Sequence, residues 1–166
     1  MKRMEVIIRP LTEADAAAAS ALAQRSFSAF IAPDWEPRAV EHFHAHSTPE
    51  VLRASLPSCA CVAGAFSDAR MVGFVLMPQP SFVRMLFVEP SAMRQGVGRR
   101  LWEFARAHIE RCFPKVATVE LNSSPHAVPF YRRLGFAPIS APFLRDGCRA
   151  TRMACWLPAR SLDAAP

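Results

Sequence analysis

The residues best suited to chemistry lie between Arg84 and Leu101, in the run Arg-Met-Leu-Phe-Val-Glu-Pro-Ser-Ala-Met-Arg-Gln-Gly-Val-Gly-Arg-Arg-Leu. Val83, Met85, Leu86, Phe87 and Val88 favour a strand, and Pro90, with no N–H to give to a ladder, closes it. Gly96 and Gly98 allow backbone angles and a closeness of approach that a Cβ forbids. The spacing predicts a helix opening near Gly96, whose first N–H groups lack partners inside the helix and whose dipole favours an anion. Arg94, Arg99 and Arg100 add formal positive charge. A strand, a glycine turn and a basic helix in that order make a seat for phosphate. No Gly-Lys-Ser or Gly-Lys-Thr is present, which argues against a Walker-type nucleotide loop. Gly-x-Gly without a third glycine and a following ribose acid argues against a dinucleotide.

Further along, Val116 to Asn122 alternates apolar and polar residues as a half-buried strand does, then leads into Ser-Ser-Pro-His-Ala-Val-Pro-Phe-Tyr-Arg-Arg-Leu-Gly-Phe. Tyr131, in that segment, is the chain's only tyrosine. The first segment, Leu-Phe-Val-Glu-Pro-(x)3-Arg-Gln-Gly-Val-Gly-Arg, resembles the acyl-CoA loop of the GNAT superfamily of N-acetyltransferases. The second resembles that superfamily's signature Asn-x-x-Ala-x-x-Phe-Tyr-x-x-Leu-Gly-Phe. One departure is visible: Met93 stands where the superfamily usually has Gln or Arg. It costs a side-chain contact but none of the amides.

The resemblance implies acetyl-CoA as cosubstrate and no metal. Its pyrophosphate would lie on the amides of Arg94, Gln95, Gly96, Val97, Gly98 and Arg99, and its pantetheine arm along the edge of Leu86, Phe87 and Val88. Asn122 and Ser124 are candidates for the same arm, Ser124 by alignment back from Tyr131, and Phe130 is placed beside the cofactor. The implied reaction moves an acetyl group from the thioester to a primary amine of a small molecule or peptide, by direct attack in a ternary complex. The Val88 amide would hold the thioester carbonyl, Tyr131 would protonate the departing thiolate, and Glu120, in the polar phase of its strand, would relay the amine's proton. Glu89 reads as a solvent-exposed residue at the mouth of the loop.

The acceptor is expected over the first third of the chain, where Trp35, His42 and Phe43 are candidate pocket residues, with Asp34, Glu36 and Glu41 as charge for a cationic amine. His42, His44 and His46 alternate and invite a metal reading. It is set aside, because no further His or Cys follows at zinc-like spacing and the chemistry needs no metal.

These groups must be held by a frame, and the resemblance implies an α/β (α+β) fold: a mixed, mostly antiparallel central sheet of about seven strands with helices on both faces. A strand at 4–9, a Thr-capped helix from Glu13 to Phe27, two short helices and a hairpin about Ser67-Asp68-Ala69 lead to the loop. The helix from Gly96 to Cys112 buries Val97, Leu101, Phe104, Ala105 and His108. After strand 116–122 and a helix about Val128 to Leu134, a last pair follows, 138–144 with 149–157. The 166 residues, 51% of them hydrophobic, suit a single domain over 1–160 with a short tail, 161–166. Five cysteines without a Cys-x-x-Cys pair, and a start without an apolar run, point to a reducing cytoplasm. No stretch is long and apolar enough for a spanning helix. A net charge of +6 suits a polyanionic cofactor and equally nucleic acid, but the arginines gather at the loop and the Tyr131 helix rather than along an aromatic-studded stripe. Two other classes are carried, a noncatalytic acyl-CoA-binding or regulatory domain and a basic nucleic-acid-binding protein; assembly as a homodimer is left open.

Overall fold

Alternation of apolar residues sets the strands, and glycine, proline and short polar turns set their ends. The computed structural model describes residues 5–158. The expected start of the first strand at Met4 and the expected 161–166 tail lie outside them. β1 (Ile7–Pro10), β2 (Cys61–Ser67), β3 (Arg70–Met77) and β4 (Met85–Val88) pair antiparallel in that order. β5 (Thr118–Ser123) pairs with β8 (Cys148–Trp156), which also takes β6 (Ala137–Pro138) and β7 (Phe143–Arg145). A single parallel bridge between Phe82 and Glu120 joins the two arrays. It is fixed by two main-chain bonds, Val83 N–H to Glu120 (2.9 Å) and Glu120 N–H to Ser81 (2.8 Å).

The mixed, largely antiparallel sheet is as expected, with eight strands among the described residues rather than about seven. The expected strand 138–144 is broken into β6 and β7. Pro142 offers no N–H, and the Ser140 hydroxyl, instead of a main-chain carbonyl, accepts from the Arg152 amide at 3.1 Å.

Helices cover both faces. α1 (Ala16–Phe30), α2 (Pro37–Ala45) and α3 (Pro49–Ser55) pack on one side through Leu22, Phe27, Leu52, Phe74 and Leu76. On the other, α4 (Val97–Cys112) and α5 (Val128–Arg133) pack through Val75, Leu101, Ile109, Val119 and Met153. α4 buries Trp102 and Ile109, while Phe104 and His108, expected inside, are half-buried at the edge of that face. His108 instead holds the Ala60 carbonyl through Nε2 at 3.0 Å. Among the described residues no helix is long and apolar enough to cross a membrane.

Candidate active site

Beyond the Phe82–Glu120 bridge, β4 and β5 run the same way but no longer pair, so the sheet opens into a V. A cleft of about 410 Å³ lies there, walled by Met85, Leu86, Phe87 and Val88 on one side and by Asn122, Ser124 and His126 on the other. The antiparallel ladder decides which amides of β4 face it. Glu89 N–H donates to Val72 at 2.8 Å, and Phe87 lies opposite Phe74. By the alternation of such ladders, Leu86 and Val88 turn their N–H and C=O groups away from β3 and toward the opening. The Val88 carbonyl is taken by the Ser26 hydroxyl at 3.3 Å. The Leu86 and Val88 amides are free donors on the cleft edge.

The turn after β4 supplies more. The first α-helical bond of α4 is Arg100 N–H to Gly96, at 3.1 Å. Ahead of it, the consecutive amides from Arg94 to Arg99 find no protein acceptor among the described residues. Left-handed angles at Arg94 (φ +62°) and Gly96 (φ +83°) curl these N–H groups into a concave row. Gly98 is needed for close approach rather than for left-handed angles: a Cβ there would lie 2.8 Å from the Phe130 ring and 3.5 Å from Val88 Cγ2. Its bareness lets α4 and α5 close on one another. Arg94, Gly96, Val97, Gly98, Arg99 and Phe130 all line the cleft, as does Met93 at the departed position. Gln95 does not; its amide nitrogen turns back to the Ser91 carbonyl at 3.2 Å.

Tyr131 is 9% exposed and lines the cleft, with Phe130 and Phe136 against its ring at centroid distances of 5.1 and 5.6 Å. Burial pushes its phenol well above the ordinary range, so the group stays protonated and able to donate.

Several sequence expectations are corrected here. Glu120 does not line the cleft; Arg152 grips its Oε2 through Nε (2.7 Å) and Nη2 (2.6 Å) on the outer face of β5. Glu89 is buried rather than exposed, bonded to Arg25 at 2.8 Å and 3.8 Å from Arg70. Trp35, His42 and Phe43 are also absent from the cleft wall. Phe43 stacks on Phe27 at 3.7 Å and Trp35 meets the same ring edge-on at 5.1 Å, its Nε1 donating to the Arg149 carbonyl at 3.2 Å. His42 stacks on His46 at the surface, 4.0 Å between centroids. Among the described residues no three His, Cys, Asp or Glu side chains gather as a metal site.

The structure adds groups that sequence reasoning passed over: Ser26, Phe30 and Ile31 at the end of α1, Arg84 ahead of β4, and His126 after β5. Phe30 and His126 stack across the opening at 5.0 Å and 14°. Nothing in their spacing marks them, because three separate segments bring them together. The nearest signal is the segment Asn-Ser-Ser-Pro-His, in which the sequence singles out Asn122 and Ser124 but not His126.

Comparison with known proteins agrees with this architecture. A crystal structure from Rhodopseudomonas palustris described as a GCN5-related N-acetyltransferase superposes with a TM-score of 0.80 at 21% identity, over 95% of this chain and 99% of that one. The PaiA N-acetyltransferase of Thermoplasma acidophilum, solved with coenzyme A, gives 0.75 at 18% identity over 93% and 100%. Among curated proteins, the peptidyl-lysine N-acetyltransferase YiaC of Escherichia coli (strain K12) is 28% identical over 69 residues, which span 42% of this chain and 44% of that protein. Residues 31–157, covering both the amide cradle and the Tyr131 segment, match the family described as the acetyltransferase (GNAT) domain, and the chain belongs to that family of enzymes.

Proposed function

We propose that the protein moves an acetyl group from acetyl-CoA to a primary amine of a small molecule or peptide by direct attack in a ternary complex. The observation that carries this reading is the continuity of one surface: the free amides from Arg94 to Arg99 run into the free amides of Val88 and Leu86, and Tyr131 stands on the same cleft. The row suits pyrophosphate, with Arg94 and Arg99 for charge, and the strand edge suits a pantetheine arm and thioester. The Thermoplasma neighbour, solved with coenzyme A, supports a coenzyme A thioester as the ligand class. The amine nitrogen attacks the thioester carbon, a C–N bond forms, and the oxyanion is held by a free β4 amide. Collapse breaks the C–S bond, and the thiolate takes the Tyr131 proton. The proton shed by the amine restores Tyr131 through solvent, so acetyl-CoA and amine become amide and free thiol with no net proton change.

An alkylamine near a pKa of ~10.4 is free base in only about one molecule in a thousand at neutral pH, worth roughly 4 kcal/mol. Some group must help. With Glu120 held outside, His126, whose imidazole nitrogens can accept and pass on a proton, lines the cleft wall and takes the relay role in this reading. The test follows free thiol release from acetyl-CoA over a panel of amines, alongside calorimetry of acetyl-CoA binding. Amine-dependent release is expected. Tight binding with no release for any amine would instead support a noncatalytic acyl-CoA-binding domain.

A further inference from the structure

Resting on the acetyltransferase reading, we infer that the acceptor is a small primary amine that also carries a carboxylate, docked through Arg84. The cleft wall contains Arg84, Arg94, Arg99, Arg133 and His126, and no aspartate or glutamate. Three of those arginines belong to the phosphate end. Arg94 and Arg99 flank the amide row, and Arg133 sits beside Arg99, whose Nη2 reaches the Arg133 carbonyl at 3.5 Å. Arg84 is different. It precedes β4, so it stands four residues, about 13 Å at ~3.3 Å per residue, from Val88 and the cradle beyond it. That puts it past the thioester, where an acceptor must enter. It makes no ion pair among the described residues, and the nearest acid on β5, Glu120, is committed to Arg152.

Arg84, exposed and lining the cleft wall, carries a planar guanidinium fork that matches a carboxylate in two parallel bonds. The same positive field repels an ammonium and favours the uncharged amine, the form that attacks. Met85, Leu86 and Phe87, which separate Arg84 from Val88 along the same wall, leave apolar surface for a short carbon chain between the two groups. A polyamine or other polycation would meet repulsion and no counter-charge, so the surface selects against it.

Matched amines test this: α-amino acids and their amides, ω-amino acids and their amides, and a diamine, each assayed by thiol release. The carboxylate members should exceed their amides in kcat/KM by about tenfold or more, and the better spacing will show which amino acid type fits. Arg84→Gln should erase that preference mainly through acceptor KM, and Arg84→Lys should restore part of it, while calorimetry gives an unaltered acetyl-CoA affinity. If the wild-type protein uses amides or the diamine as well as the carboxylates, or if Arg84→Gln lowers both members of a pair equally, the inference is overturned and the acetyltransferase reading stands. If acetyl-CoA binds and no amine in any series releases thiol, that reading falls, and this one with it.

Discussion

At one end of the cleft, the donors from Arg94 to Arg99 are neighbours in the chain, held by two left-handed residues and the start of a single helix. Over the rest of the cleft wall, Phe30, Arg84 and His126 come from α1, the approach to β4 and the turn after β5, and share one cavity only because two arrays of strands part beyond one bridge. The first end is main chain and tolerates side-chain change; the second is side chain, and a single substitution can rewrite it. In the proposed reading the cosubstrate is held by backbone, which a side-chain substitution leaves in place. The proposed acceptor is met by side chains drawn from separate segments.

Tyr131→Phe should break the chemistry while leaving the cradle untouched. Turnover should fall roughly 10- to 1000-fold with acetyl-CoA affinity nearly constant, as when an interaction made mainly in the transition state is lost. Steady-state kinetics with a working acceptor, beside calorimetry, checks both halves. Equal turnover would remove Tyr131 from the mechanism.

Phe43→Ala addresses the region first expected to hold the acceptor. Because Phe43 stacks on Phe27, the variant should lose roughly 2 to 3 kcal/mol of stability, below the range for a fully buried ring, and leave acceptor KM within about twofold. Denaturant unfolding and acceptor titration separate the two. A large KM change in a stable variant would return the acceptor to α2.

Gly96→Ala sharpens the account of the cradle. A Cβ there meets nothing within 4 Å, so any effect comes from the positive φ, with strain of about 1 to 2 kcal/mol. Gly98→Ala instead presses on Phe130, and it should cost packing between α4 and α5 as well as affinity. Comparing melting temperature and acetyl-CoA affinity in the two variants distinguishes strain from crowding.

The smallest effect lies outside both ends, at the start of α1. Arg9 bonds both carboxylate oxygens of Asp15 at 2.9 Å, and Thr12 N–H adds a third bond at 2.8 Å. The Arg9 hydrogen bonds, followed by those from Thr12, hold this carboxylate down at about 2. A depressed carboxylate pKa stabilises the fold above the unfolded value near ~3.9, and the contribution disappears as pH falls toward 2. Asp15→Ala should therefore melt lower at pH 7, by about 1 kcal/mol, with the gap to wild type closing between about pH 4 and 2. A gap that persists at pH 2 would assign the loss to packing.

The glycine turn, the helix after it and the Tyr131 segment were legible in the amino-acid sequence, because each is local: angles at Gly96, an unpaired helix start and the order of strand, turn and helix depend on adjacent residues. The hairpin of β2 and β3 was legible for the same reason, whereas the helix expected from Glu13 opens as a 3-10 turn at Glu13–Asp15, with α1 only from Ala16. What only the tertiary structure decided was non-local. Alternation along β5 placed Glu120 and Asn122 on one face, but the point at which β4 and β5 part put Asn122 on the cleft and left Glu120 to Arg152. Trp35 and Phe43 looked like pocket walls because aromatics near a variable loop serve either purpose; Phe27, itself buried, turned them into core. Arg84 and His126 lay inside segments that the sequence singled out but carried no role there, and Phe30 carried no mark, since a site assembled from three segments exists only once long-range pairing has set their distances.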